Sequence, residues 1–230
     1  MKKLIIDSRM RQIEKDFLTS LGYNLISIQP HPELYEEISA HPDIQLARIQ
    51  NLLIQAPNSN FILNNSITGL TKIGAQYPAS VPYNICCIGN CLVYHKYTDE
   101  KILEIANRYS MKLVLIKQGY TRCNIAVTSE NSCITTDKQA YEKLSQIGVD
   151  CLYIAEPNIC LINKNGNKSC MKGFIGGATA VLENKFILFG DKKELINLKK
   201  IETHLEKYHL KFIYFQGLPI YDYGGAIEIN

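Results

Sequence analysis

A chain of 230 residues, 46% of them hydrophobic and 20% charged, is long enough to bury a substantial core, and residues 1–230 read as a single domain. The formal net charge of +3 is spread along the sequence with no basic run beyond two residues, which argues against nucleic acid as a partner. No apolar run reaches the roughly 18 residues of a membrane span, and the opening "MKKLIIDSRMRQ" is too short in apolar residues for a signal peptide, so a cytoplasmic chain with no membrane partner is expected.

In chain order, "KKLIID" reads as a strand, "SRMRQIEKDFLTSLG" as a helix with Ile13, Phe17 and Leu21 on one face, and "YNLISIQ" as a strand. "DIQLARIQNLLIQAP" is a hairpin turning at Gln50 and Asn51. The stretch from Asn58 to Ser80 carries no firm helical period and reads as an elaborated loop. "NICCIGNCLVYHKYTDEKILEIANRYSMKLVLI" then gives a hairpin at Gly89 and Asn90, a helix from near Thr98 and a closing strand. "CNIAVTSENSCITTDKQAYEKLSQIGVDCLYI" repeats the order: hairpin, a helix capped by Asp137 and ended by Gly148, strand. "ATAVLENKFILFGDKKELINLKKIETHLEKYHLKFIYF" repeats it again, with Asp191 at the helix start, and "GGAIEI" is a last lone strand.

The unit is therefore β-β-α-β, and the two chain ends hold complementary parts of one copy. Pairing the first and last strands would complete a fifth unit and remove two exposed edges. The expected fold class is α/β, a five-fold pseudosymmetric propeller of ββαβ units closed by the terminal strands. Six of the eight cysteines lie in or beside β-type runs and read as reduced, buried thiols. "CCIGNC" lacks the paired spacing of a zinc cluster, and its "GN" reads as a turn, so neither a metal nor a cofactor is expected.

Four short motifs mark the starts of the first strands: "HPDIQ" at His41, "QGYTRC" at Gln118, "GFIGGA" at Gly173 and "YDYGG" at Tyr221. With the repeat, they resemble the pentein or α/β-propeller superfamily of amidinotransferases and deiminases, and within it an uncharacterised bacterial family. The resemblance covers nearly the whole chain and is weakest from Asn58 to Ser80. It implies a small guanidino or amidino ligand, attacked in catalytic members by a cysteine of the last strand while a histidine from another repeat moves protons. Here the last strand has no cysteine, and Glu228 stands in its place.

Aligning the hairpins makes Asp43, Cys123 and Gly176 equivalent, each eight residues before its turn asparagine, Asn51, Asn131 or Asn184. If the first strands start near a common axis, Asp43, Cys123, Gly176, Gly177, Asp222, Gly224 and Gly225 converge there. Two carboxylates suit a planar guanidinium, which donates paired N–H bonds. Cys123 and His41 are the candidate catalytic pair, and Gln45, Gln118, Arg122, Asn124 and Glu228 are further candidate ligand contacts. If Cys123 faces inward, strand alternation turns Asn124 away.

Other readings stay open. Cys123 also reads as a small buried hydrophobe, Asp43 and Asp222 as turn-forming residues, and Gly176 and Gly177 as sites of close backbone approach. His95, His204 and His209 read as structural or solvent-facing. A catalyst with a displaced nucleophile, a non-catalytic binder and a protein-interaction module all fit such a scaffold. Nothing in the sequence sets an oligomeric state.

Overall fold

The computed structural model describes residues 2–155 and 158–229. In chain order it contains β1 (Lys3–Asp7), α1 (Gln12–Ser20), β2 (Asn24–Ile28), α2 (Pro42–Gln45), β3 (Leu46–Ile49), β4 (Leu52–Gln55), β5 (Ile67–Thr68), β6 (Cys86–Ile88), β7 (Cys91–Tyr94), α3 (Glu100–Arg108) and β8 (Lys112–Leu115). There follow α4 (Thr121–Asn124), β9 (Ile125–Ser129), β10 (Ser132–Thr135), α5 (Lys138–Gln146), β11 (Asp150–Tyr153), β12 (Ile159–Ile162), β13 (Lys168–Lys172), β14 (Thr179–Leu182), β15 (Lys185–Leu188), α6 (Leu198–Lys207), β16 (Lys211–Ile213), β17 (Ile220–Tyr221) and β18 (Ile227–Ile229). None of the described helices is long and apolar enough to cross a membrane.

The result is a mixed α/β fold whose described strands form six three-stranded sheets. Four sheets have the expected build, a hairpin whose second strand pairs in parallel with the strand that closes the unit: β3-β4-β5, β6-β7-β8, β9-β10-β11 and β14-β15-β16. The ends of the chain supply a fifth of the same pattern. β1 lies between β18, antiparallel with Leu4 opposite Glu228, and β2, parallel with Leu4 opposite Leu25. Ile5, Ile28, Leu46 and Ile227 bury one another, tying the terminal sheet to β3.

The helices follow their apolar periods. Asp137 accepts the Ala140 N–H, Ala140 and Leu144 are buried, and Gly148 ends α5 at φ +90°. In α3, Asp99 accepts the Lys101 N–H while Ile102, Ile105 and Ala106 face the core. Two helices differ from the sequence reading. Ile13 of α1 is 57% exposed, while Phe17 and Leu21 pack partly buried beside Leu18. Asp191 caps only a 3-10 turn over Lys192–Glu194, and α6 begins at Leu198.

The segment from Asn58 to Ser80 lacks a helical period because polar side chains hold it. Asp99 Oδ2 accepts the Leu70 and Thr71 N–H groups, and Asn58 bonds both the N–H and the carbonyl of Ile73. The sixth sheet, β13-β12-β17, was not anticipated, although Asn165-Gly166 between β12 and β13 is a hairpin signal, with Gly166 at φ +77°.

Candidate functional site

Three of the four motifs sit where anticipated, on short turns leading into first strands; "HPDIQ" and "QGYTRC" supply helical turns and "GFIGGA" a non-helical one. Pro42 occupies the first turn of α2, where its missing N–H costs nothing, so Asp43 projects from the turn before β3. α4 does the same for Cys123 before β9. Gly176 and Gly177 precede β14, and Asp222 lies in the link from β17 to β18.

His41, Asp43, Cys123 and Asp222 come together, each no more than 2% exposed. The Cys123 thiol donates to Asp43 Oδ2 at 2.9 Å and accepts from Asn84 Nδ2 at 3.2 Å. His41 Nδ1 is 3.9 Å from Asp222 Oδ1, and its Nε2 is 4.0 Å from Asp7 Oδ2. At those distances neither ring nitrogen has a hydrogen-bond partner among the described residues, and Asp43 Oδ1 has none among them either. Such orphaned buried atoms are uncommon and costly. One ligand atom each from His41, Asp43 and Cys123 falls within 4.8 Å of the other two.

Burial governs the protonation of the cluster. It pushes the Asp222 carboxyl up to about 7, helped by the nearby Asp43 charge, and the Asp43 carboxyl up to about 6 against the pull of Cys123 and Arg122. Burial and then the two carboxylates hold Cys123 well above the ordinary thiol value, and burial beside Arg9 holds His41 well below the ordinary imidazole value. Near neutral pH the site therefore has a neutral imidazole, a protonated thiol and net negative charge. Tyr35 and Tyr120, their hydroxyls 3.1 Å apart, are partly exposed neighbours of the cluster, and burial raises the pKa of both phenols.

The glycines have a different role from a ligand space. A Cβ on Gly176 would meet the Arg122 carbonyl at 2.3 Å, and one on Gly177 would fall 1.9 Å from Asp222 Oδ1. Gly224, at φ +69°, packs under His41, with a Cβ position 2.6 Å from that of the histidine. The absence of these side chains makes room for the site residues themselves. Gly224 and Phe174 N–H groups also hold Asp222, one on each carboxylate oxygen, both at 2.8 Å.

The other candidates stand apart from the thiol. Gln45 is buried and spans from the Ser39 carbonyl to Ser59 and the Asn60 N–H, fastening a loop. Gln118 accepts the Tyr120 N–H. Asn124 faces away, as anticipated, accepting the Thr135 and Thr136 hydroxyls, though it does so from a helical turn and not by strand alternation. Arg122 donates to the Ile125 and Gly176 carbonyls at 3.3 Å. Glu228 pairs with Lys2 at 3.6 Å and lines a cavity of about 510 Å³ whose walls also include Asp43 and Arg122.

Sequence reasoning missed Asn84 and Asp7. Asn84 is the hub of the site: its amide nitrogen bonds Cys123 Sγ and the Asp43 carbonyl, and its Oδ1 accepts the Arg122 and Cys123 N–H groups. It lies at the start of the repeat that turns at Gly89 and Asn90, but the eight-residue spacing that aligned Asp43 and Cys123 reaches Pro82 there and passes it by. Asp7, at the end of β1, is bonded by Arg9 through both oxygens at 3.0 and 2.6 Å.

Hairpins with a parallel third strand, together with the pairing of the first and last strands, make a mixed α/β fold that resembles solved structures of pentein enzymes. The chain belongs to the family described as Family of unknown function (DUF6873), which it matches over residues 5–227. No curated protein matches it in sequence. Among solved structures it is similar to a histidine-to-glycine variant of dimethylarginine dimethylaminohydrolase, an adduct with S-methyl-L-thiocitrulline: 7% identity, 93% of this chain and 92% of that one, TM-score 0.55. The Pseudomonas aeruginosa enzyme, a cysteine-to-serine variant complexed with citrulline, gives 7% identity, 93% and 92% coverage, and a TM-score of 0.55. SxtG, an amidinotransferase of Microseira wollei in the saxitoxin biosynthetic pathway, gives 11% identity, 93% and 88% coverage, and a TM-score of 0.53. At these identities the likeness is one of fold.

Proposed function

We propose that the chain binds a small guanidino or amidino compound at the cluster of His41, Asp43, Cys123 and Asp222, and acts on it as a hydrolase or amidinotransferase with Cys123 as nucleophile. The observation that carries this reading is a buried thiol bonded to a carboxylate whose other oxygen, with a neighbouring imidazole, lacks any partner. A guanidinium supplies what is missing, donating N–H bonds to Asp43 Oδ1 and toward Asp222.

The ligand's charge also answers the protonated thiol. The carboxylates that hold the proton on Cys123 become paired, and Sγ can release it to Asp43 Oδ2, 2.9 Å away. The thiolate then forms an S–C bond at the guanidinium carbon, whose C=N electrons move onto nitrogen. The proton taken up by Asp43 passes through His41 to the departing amine as the C–N bond breaks, and water or an acceptor amine later displaces Cys123.

The same reading includes the architecture. Five like sheets, paired chain ends and a cavity lined by first-strand residues Arg48, Cys87, Thr128, Val181 and Glu228 support a pseudo-fivefold ring with the site at one end of its axis. Non-catalytic binding is the second reading, favoured by the displaced thiol and by an Asp222 carboxylate already held on both oxygens by backbone.

Release of ammonia, amines, urea or citrulline from a panel of guanidino compounds, in the wild type and in Cys123→Ser, tests both. Turnover abolished by the substitution supports the enzyme; equal binding by the two proteins without turnover supports the binder. Absence of both binding and turnover contradicts the site.

A further inference from the structure

We propose that His41, Asp43 and Cys123 also form a binding site for one divalent cation of the zinc class. An imidazole, a carboxylate and a thiol, all buried and within 4.8 Å of one another, make up a donor set that zinc accepts. Zinc bonds of about 2.0–2.3 Å put tetrahedral ligand atoms roughly 3.3–3.7 Å apart, so modest side-chain rotation gathers the trio. Cys123 Sγ and Asp43 Oδ2, at 2.9 Å, are already in contact.

A second observation is independent of ligand spacing. His41 is 0% exposed with both ring nitrogens unpartnered, and Asp43 Oδ1 is unpartnered beside it. A cation satisfies both residues at once. Asn84 supplies the outer support that metal ligands require, bonding the Cys123 sulfur, the Cys123 N–H and the Asp43 carbonyl. Three protein ligands leave a fourth position for water or an added ligand, which distinguishes the site from a closed structural one. On binding, an Sγ–metal bond forms and the thiol proton leaves to solvent.

The cation and a guanidinium would both need Asp43, so metal would inhibit the activity proposed above; that consequence rests on the activity, and the metal site does not. Zinc retained by the full chain after dialysis, and the near-ultraviolet thiolate-to-metal band given by cobalt(II), measure the site directly. One metal per chain is expected, with the band lost in Cys123→Ser and metal retention lost in His41→Ala. No retained metal in the wild type overturns the proposal, as does a band of full intensity in Cys123→Ser, which would place the metal on another thiol such as exposed Cys170. If Cys123→Ser does not fold, alkylation of the wild type decides: zinc must protect Cys123, and an unprotected Cys123 contradicts the site. Guanidino turnover is scored separately, so either proposal can fail while the other stands.

Discussion

At the residue scale the cluster depends on one amide. Asn84 makes four hydrogen bonds out of reach of water, and its loss strands the Arg122 N–H and the Cys123 thiol together. Leaving buried polar groups unpaired costs about 1–3 kcal/mol each, so Asn84→Ala is expected to lower unfolding free energy by about 2–4 kcal/mol in urea titrations. Reactivity follows from the same burial. Cys123 at 2% exposure, with its thiol held protonated by two carboxylates, should alkylate with iodoacetamide far more slowly than exposed Cys170 from neutral pH to about pH 9. Tyr35→Ala should speed Cys123 alone, which peptide mass mapping reads; equal rates at both cysteines in the wild type would refute the buried thiol. His41, Asp43, Cys123 and Asp222 were legible because strand-start motifs repeat in register. Gln45 and Asn124 bond loop and strand groups instead of the thiol, because a polar residue beside a site serves equally well to satisfy buried polar groups and composition cannot separate the two roles.

At the element scale, periodicity located the helices and missed what other forces set. Of the α1 face Ile13, Phe17 and Leu21, the last two pack partly buried against the core beside fully buried Leu18, while Ile13 is 57% exposed. A short helix offers only two turns of pattern, so one misplaced apolar residue misleads. β5 and β17, of two residues each, are too short for any alternation to register. The α6 dock offers a test of burial. His204 bonds Thr128 Oγ1 at 3.0 Å, and its pKa is lowered from the ordinary 6.5 by burial, with Asp150 opposing and Lys207 adding. The unfolded chain then takes up the proton first, so stability from a neutral His204 is full at higher pH and falls as pH drops below 6.5. Between about pH 7.5 and 5.5 the wild type should lose more stability than His204→Gln. Parallel pH profiles would dismiss this role.

For the whole molecule, the pairing of the two chain ends was the most informative expectation, and its reason was physical: each end offers one part of a unit whose lone strands would leave open edges. β1 indeed lies beside β18, and Arg48 Nη1 from β3 donates to the Glu228 carbonyl at 2.6 Å. The extra β12–β13 hairpin was not read because it lies outside the repeat being matched. Removing residues 226–230 takes Ile227 from the core and bares the β1 edge. A loss of about 3 kcal/mol or more is expected, lowering Tm by about 6–12 °C; an unchanged Tm would mean the last strand contributes little.

The central claim is that the buried carboxylates await a cation. Isothermal titration of the wild type and Asp43→Asn with arginine and agmatine measures that directly. Saturable binding of a guanidino compound in the wild type, lost or weakened at least tenfold in Asp43→Asn, is the predicted result. Equal affinity in the two proteins, or no heat from either compound with a folded wild type, would contradict it.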